Sequence, residues 1–457
     1  MKKTFVVAAL VLAAAVVALP WVLGGQARGL YENALAGLPA QGVGVLESHY
    51  ERGWFGAQAI ADLAPISRVG EGPAGQEARL IIASHISHGP WCLRAPRLLP
   101  VAATIDSRVD FSIPGMELPP LLLTTLLELD GSGVTHLRVP GAAGGSGTGI
   151  EAAEGRGEAR FSSGFAAGEV WFELPALDLA VDGGTQVHVR DLRTESAGSR
   201  WVGGLFAGEG SLRLGEMSVR FPDGDLLAKG ISVAVESVPD GALLNMRADS
   251  RVDALRVNEA EYAPSRAVIS LSRLSVEELA SLQQALQDLS GGQVAQSMAG
   301  TAMAAIFASH LPQLLATDPG VALERLEIAT PQGAATGRLA LSAQGLTPEV
   351  LAQQGAWLEH LVADGALSLP KDLLLGLLKG WHRQRALDEL REREGETDVR
   401  VDIEPKVAEA ARDQLADWLR HGWLVEQEGR LMTAIKLADA LLTVNGKTIP
   451  IGAAAAP

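Results

Sequence analysis

From about residue 43 to 273 apolar and polar side chains alternate with a period of two, the spacing that sends every second side chain of a strand to one face. Ile105, Val109, Phe111 and Ile113 alternate with Asp106, Arg108 and Asp110. Val170, Phe172 and Leu174 alternate with Trp171 and Glu173, and Leu177, Leu179 and Val181 with Asp178 and Asp182. The pattern continues through Val187 and Val189, through Met217, Val219 and Phe221, and through Ile231, Val233 and Val235. It ends with Met246, Ala248, Val252 and Ala254, which face away from Arg247, Asp249, Arg251 and Asp253. Asp182-Gly183-Gly184, Pro222-Asp223-Gly224 and Pro239-Asp240-Gly241 punctuate these runs as turns, so hairpins and a mainly antiparallel sheet are predicted. Regular alternation means one wet and one dry face, and the dry face needs a second layer, helices or a bound apolar ligand to cover it.

A period of 3.6 takes over near Ser275, where Ser275 and Glu278 form a capping-box pattern ahead of Val276, Leu279, Leu282, Leu286 and Leu289. Gly291-Gly292 ends that helix. A second helix follows to about Leu315, with Met303, Ile306, Phe307 and His310 on one face. Leu323 to Ile328 and Leu339 to Ala343 return to period two around Pro331-Gln332-Gly333, a hairpin. Ala366 to Leu369 reads as a strand stopped by Pro370, which suits the start of a helix from Lys371 to about Arg393 with Leu374, Leu377, Leu378 and Trp381 on its buried side. A last helix places Ala411, Leu415, Trp418 and Leu419 together. Leu431, Thr433 and Ile435, then Leu442 and Val444 before Asn445-Gly446, predict a terminal β-hairpin.

Phe5 through Leu23 carries no charge over nineteen residues. As a helix it would extend ~28 Å, close to the ~30 Å of a bilayer core. Phe5, Leu10, Leu12, Val16, Leu19, Trp21 and Leu23 are its anchor residues, with Trp21 where an interfacial aromatic would sit. Lys2 and Lys3 precede the segment and only Arg28 follows closely, which orients the amino terminus to the cytoplasm and the body to the far side. The competing reading is a signal peptide cleaved near Gly25-Gln26-Ala27; apolar character running past Pro20 to Leu23 favours an uncleaved, single-pass anchor.

Composition narrows the partners. The 457 residues are 47% hydrophobic and 20% charged, and 38 basic against 54 acidic residues leave a net charge of −16, which repels phosphate backbones and excludes nucleic acid as the expected partner. The one cysteine, Cys92, cannot form an intrachain disulfide and reads as a small buried hydrophobe beside Trp91. Gly141 to Gly149 is a loop; Ile150-Glu151 follows it where a phosphate-binding loop needs Lys and Ser or Thr.

No catalytic, cofactor or metal set emerges. His85 and His88, three apart on a strand, point to opposite faces and would share a metal only across a sharp bend at Gly89-Pro90. Ser84 and Ser87 lie near these histidines without a Gly-x-Ser-x-Gly elbow. Asp388 to Glu396 mixes charges of both signs at helical spacing, as a solvated helix end does. Trp171, Glu173 and Trp201 suit sheet packing better than a carbohydrate site.

Three segments carry a resemblance. Tyr50-Glu51-Arg52-Gly53-Trp54-Phe55, Ser87-His88-Gly89-Pro90 and the stretch from Gly429 to Gly446 ending in Asn445-Gly446-Lys447 resemble the YdgA-like bacterial inner-membrane proteins, a family of unknown function, with matching order and spacing over nearly the whole chain. The resemblance implies a periplasmic body tethered to the cell inner membrane and no established activity. Read physically, these motifs are structural: Glu51-Arg52-Gly53 is a hairpin tip where glycine supplies positive φ, His88 is a turn histidine before Gly89-Pro90, and Asn445-Gly446 is a two-residue turn.

The expected protein is therefore α+β. It has a cytoplasmic start (1–4), a transmembrane helix (5–23) and a long curved, mainly antiparallel β-rich region (24–273). A helical hairpin (274–320), an α/β carboxy-terminal region with helices and a terminal hairpin (321–450), and a disordered tail (451–457) follow. The expected function is a noncatalytic envelope scaffold or binding protein, with membrane lipid as partner of the anchor; by analogy with curved lipid-transfer sheets, an uncovered dry face would hold acyl chains as a ligand. The alternatives are an envelope hydrolase acting on lipid or glycan, and a homo-oligomer associating through strand edges.

Overall fold

The computed structural model describes residues 43–53, 56–65, 79–88, 101–113, 116–142, 149–181, 184–201, 206–222, 224–291, 296–351, 356–394 and 404–450, with Arg28, Gly29, Tyr31, Glu32 and Leu35 in helical turns. The expected anchor, Trp54, Phe55, Gly89, Pro90, Cys92 and the expected tail lie outside these residues. Among the described residues no helix is long and apolar enough to cross a membrane. The chain divides into two compact units, 1–224 with 236–238 and 276–310, and 225–235 with 239–275 and 311–457.

The first unit contains β1 (Val43–Arg52), β2 (Gly56–Pro65), β3 (Arg79–His88), β4 (Ala103–Ile113), β5 (Met116–Glu117), β6 (Leu121–Leu127), β7 (Gly133–Val139), β8 (Ile150–Ala152), β9 (Gly155–Phe161), β10 (Ala167–Val181), β11 (Thr185–Arg200) and β12 (Phe206–Phe221). Every pairing is antiparallel, and the ladder runs β1–β2–β3–β4–β6–β7–β9–β10–β11–β12. β5 folds back on β4 and β8 pairs with β10. One face buries Ala57, Ala59, Ile86, Ala103 and Leu127, with Tyr31, Tyr50, Ile105 and Phe161 packed around them. On the same face Ser84 Oγ and Ser107 Oγ satisfy one another at 2.7 Å.

The runs Val170–Leu174 and Leu177–Val181 lie in one continuous strand, β10. The apolar phase slips by one residue at Pro175, which lies opposite Asp191 between the Leu174–Leu192 and Ala176–Arg190 pairs. Proline has no N–H for the ladder, and Asp191 takes a φ of 55°. The next strand slips too, from Leu214 to Met217 across Gly215, where a Cβ would stand 3.0 Å from the Asp191 side chain.

The second unit holds most of β13 (Gly224–Asp240), then β14 (Leu243–Val257), β15 (Ala260–Glu261), β16 (Ser265–Ser275), β17 (Gly320–Thr330), β18 (Gly333–Ala343), β19 (Leu361–Pro370), β20 (Val425–Gln427), β21 (Arg430–Ala438), β22 (Leu441–Val444) and β23 (Lys447–Pro450). From β14 the antiparallel order is β14–β16–β17–β18–β19–β21–β22–β23, with β20 on β21. A phase slip occurs here as well: Gly230 takes a φ of 60° against the Asp253 side chain, and Ala254, expected on the dry face, is exposed while Leu255 is half-buried.

Four helices of sixteen residues or more are described: α1 (Val276–Gly291), α2 (Gln296–Leu315), α3 (Lys371–Glu394) and α4 (Glu404–His421). The fold is thus mostly antiparallel β-sheet with helices, an α+β protein. On α2, Met303 and Phe307 are exposed, while His310 Nδ1 lies 3.3 Å from Glu278 Oε2 of α1. One expected buried face is corrected. On α3, Leu378 is buried with Ala411 and Leu415 of α4 and Leu431 of β21, while Leu377 and Trp381 face solvent.

Candidate functional site: an uncovered apolar face

The register brings two of the motif segments together. Arg52 is opposite Ala57, Ala57 opposite Ile86, and His88 opposite Ala103, so Arg52 and His88 share the dry face at one end of β1–β4. His88 is 3% exposed, whereas His85 points to the other face and is exposed, as their spacing predicts. Beside them the Tyr31 and Tyr50 rings pack with centroids 5.5 Å apart and planes tilted by 44°, and neither hydroxyl has a partner among the described residues. Burial is the main force pushing both phenols above their ordinary pKa. Gly53 does not use positive φ, contrary to expectation. Glycine is needed there because Gly56 O would stand 3.0 Å from an added Cβ, the same approach that lets Gly53 N donate to that oxygen at 2.7 Å.

Asn445 and Gly446 have φ of 49° and 81°, the left-handed pair of a type I′ turn, and Val444 pairs with Lys447 across it. The Asn445 side chain does more than turn the chain. Its Oδ1 accepts from Ala434 N at 2.8 Å, and its Nδ2 donates to Gly422 O at 2.9 Å and Trp423 O at 3.1 Å, tying the end of α4 to β21.

The same strands build a large apolar face. One cross-strand row reads Met246–Leu271–Val321–Leu341–Ala363–Leu437–Leu442, and the next Ala248–Ile269–Leu323–Leu339–Gly365–Ile435–Val444. The opposite face carries the ion pairs Arg247–Glu324, Arg266–Asp249 and Arg338–Asp364, with the buried Val268 opposite Asp249 among them. Helices α3 and α4 cover the Leu431 end of the dry face. At the other end Ile269, Val321, Leu339 and Leu341 form a contiguous cluster exposed by 46, 48, 42 and 40%. Leu339 Cδ1 leans to within 2.9 Å of where a Gly365 Cβ would be, and Leu367 Cδ1 to within 3.2 Å of that position at Gly337, which smooths the surface.

Other constellations are weaker. A pocket of about 570 Å³ lies over Thr336, Ser368 and Met432 with Arg338, Ala366 and Ala434, but its cations are already engaged, Arg338 with Asp364 at 2.9 Å and Arg325 with Glu327 at 2.8 Å. Asp178, His188 and Ser218 are aligned across β10, β11 and β12, with His188 Nδ1 2.5 Å from Asp178 Oδ1. Burial raises the Asp178 pKa, and hydrogen bonds from Arg190 and His188 outweigh it, leaving the carboxyl below its usual range. Among the described residues no three His, Cys, Asp or Glu side chains are placed to hold a metal.

Fold and surface together define an antiparallel-sheet protein with a partly covered apolar face. The chain belongs to the family described as bacterial protein of unknown function, DUF945, whose profile matches residues 1–452. Comparisons with curated proteins and with solved structures find no match.

Proposed function

We propose that the protein is a noncatalytic binding protein tethered to the cell inner membrane, with its body in the periplasm, that holds a lipid acyl chain against the apolar face of β14–β21. The uncharged stretch from Phe5 to Leu23 behind Lys2 and Lys3, with the resemblance to YdgA-like inner-membrane proteins, supports the location. The contiguous exposure of Ile269, Val321, Leu339 and Leu341 carries the binding. Fully burying such a side chain yields about 1.5–3 kcal/mol, so covering the exposed half of these four contributes roughly 3–6 kcal/mol. The exposed cluster crosses two inter-strand steps from β16 to β18, about 10 Å, enough to take a run of acyl methylenes. The Leu339 and Leu367 side chains lie over Gly365 and Gly337, so rotating them aside would leave a glycine-floored furrow.

The test is photolabelling of the full chain in vesicles by a phospholipid with a diazirine at its acyl end. Label is expected on β16 and β18 as well as on the amino-terminal segment. Leu339→Glu with Leu341→Glu removes the former and leaves the latter. Label confined to the amino-terminal segment in the unaltered chain refutes acyl-chain binding by the sheet.

A further inference from the structure

We propose that the second helix of the α1–α2 pair, α2, inserts into the apolar region of one membrane leaflet without crossing the bilayer. From Leu289 to Thr317 the chain contains no Asp, Glu, Lys or Arg, although 20% of its residues are charged. Helix α2 lies inside this stretch and exposes apolar surface around much of its axis. Met303, Phe307 and Leu311, each one turn apart, are 45, 46 and 50% exposed, and Ala304, Ala305 and Ala308 beside them are exposed as well. At about 100° per residue these positions sweep roughly 200° of the circumference.

That breadth, together with the missing charge, selects the occupant. A protein partner, a second copy included, meets one apolar stripe of a helix and leaves charged residues on the rest, whereas a helix apolar over most of its surface suits surroundings that are apolar throughout. Ser309, at the edge of the exposed arc, donates its hydroxyl to Ile306 O at 2.8 Å, which is how a serine enters hydrocarbon without an unmade hydrogen bond. His310, the one titratable side chain of α2, lies with Ala302 and Ile306 on the half-buried side, its Nδ1 3.3 Å from Glu278 Oε2 of α1. The exposed run from Met303 to Leu311 rises about 12 Å, less than the roughly 15 Å of one leaflet's hydrocarbon, so it can enter a leaflet and cannot span two. The Phe5–Leu23 tether proposed above is what keeps the helix at a bilayer, and the insertion rests on that reading.

The experiment uses the full chain with Cys92→Ser and Phe307→Cys, labelled with an environment-sensitive fluorophore and reconstituted in phosphatidylcholine vesicles, part of whose lipid carries a nitroxide on the acyl chain. Val11→Cys, within the tether, and Gln283→Cys, exposed on α1, are labelled in parallel. Expected at position 307 are a blue shift and severalfold quenching by the nitroxide, both unchanged in high salt because no charge takes part, while position 283 stays unquenched. Met303→Asp with Leu311→Asp abolishes the quenching at unaltered circular dichroism, whereas Leu339→Glu with Leu341→Glu leaves it intact, which separates α2 from the acyl-chain site. Quenching at 11 without quenching at 307 overturns the insertion and leaves the tether standing; quenching at neither overturns both. A blue shift at 307 without quenching indicates a protein contact and overturns the insertion as well.

Discussion

Leu431 and Leu339 lie on the same apolar face of one antiparallel sheet, yet Leu431 is fully buried and Leu339 is 42% exposed. Strand propensity and alternation do not distinguish them; what differs is the cover. Leu378, Ala411 and Leu415 sit on Leu431, and no described residue does the same for the cluster around Leu339. Sheet alternation announces that a dry face exists, and the helices decide how much of it the protein closes for itself.

The contrast can be broken most forcefully by truncation. Leu431→Ala removes a fully enclosed side chain and is expected to lower stability by about 2–5 kcal/mol in urea unfolding. Leu339→Ala, already half in water, is expected to cost less than about 1 kcal/mol. Equal losses would show that the Leu339 end is as enclosed as the other.

The Asn445 clasp sharpens the comparison, because it holds the end of α4 to the sheet. Asn445→Gly keeps the left-handed backbone and loses three hydrogen bonds, so about 1–3 kcal/mol is expected. Asn445→Ala adds strain at a φ of 49° and is expected to cost more. If Asn445→Gly matches the unaltered chain in urea midpoint, the clasp contributes nothing.

The smallest effect concerns the wet side. Arg266 donates to both oxygens of Asp249, which holds that carboxyl below the ordinary range; partial burial pulls the other way and is the smaller influence. A depressed folded pKa means that this contribution is complete above the unfolded value of about 3.9 and disappears as pH falls through the folded one. Arg266→Gln is therefore expected to narrow the stability gap to the unaltered chain on acidification, by about 1 kcal/mol or less. A gap independent of pH would contradict this assignment.

Much of this architecture is legible in the sequence. The hairpin around Pro331-Gln332-Gly333, the start of α3 after Pro370 and the Asn445-Gly446 turn each follow from local chemistry, and the structure places them as expected. The outward face of α3 was not legible, because Leu373, Leu374, Leu375, Leu377 and Leu378 surround the helix axis and periodicity cannot choose among them. The phase slip within β10 shows in the sequence as a change of parity between Leu174 and Leu177, but alternation alone does not say that Pro175 stays inside one strand. The exposed cluster at Ile269, Val321, Leu339 and Leu341 depends on contacts between distant segments, so alternation could place these residues on the dry face without saying that it stays open. Arg52 and His88 come to the same face and the same end of the sheet for the same reason, through the pairing of strands whose sequences do not mention one another.

The most direct test compares two adjacent positions on opposite faces. In a Cys92→Ser background, Leu339→Cys and Arg338→Cys are each treated in native membranes with a hydrophilic maleimide. If an acyl chain covers the apolar face, the thiol at position 339 reacts slowly, becomes fast after lipid removal and is protected again by added phospholipid, while the thiol at 338 reacts fast throughout. Equal, lipid-independent reactivity at 339 and 338 would contradict the account.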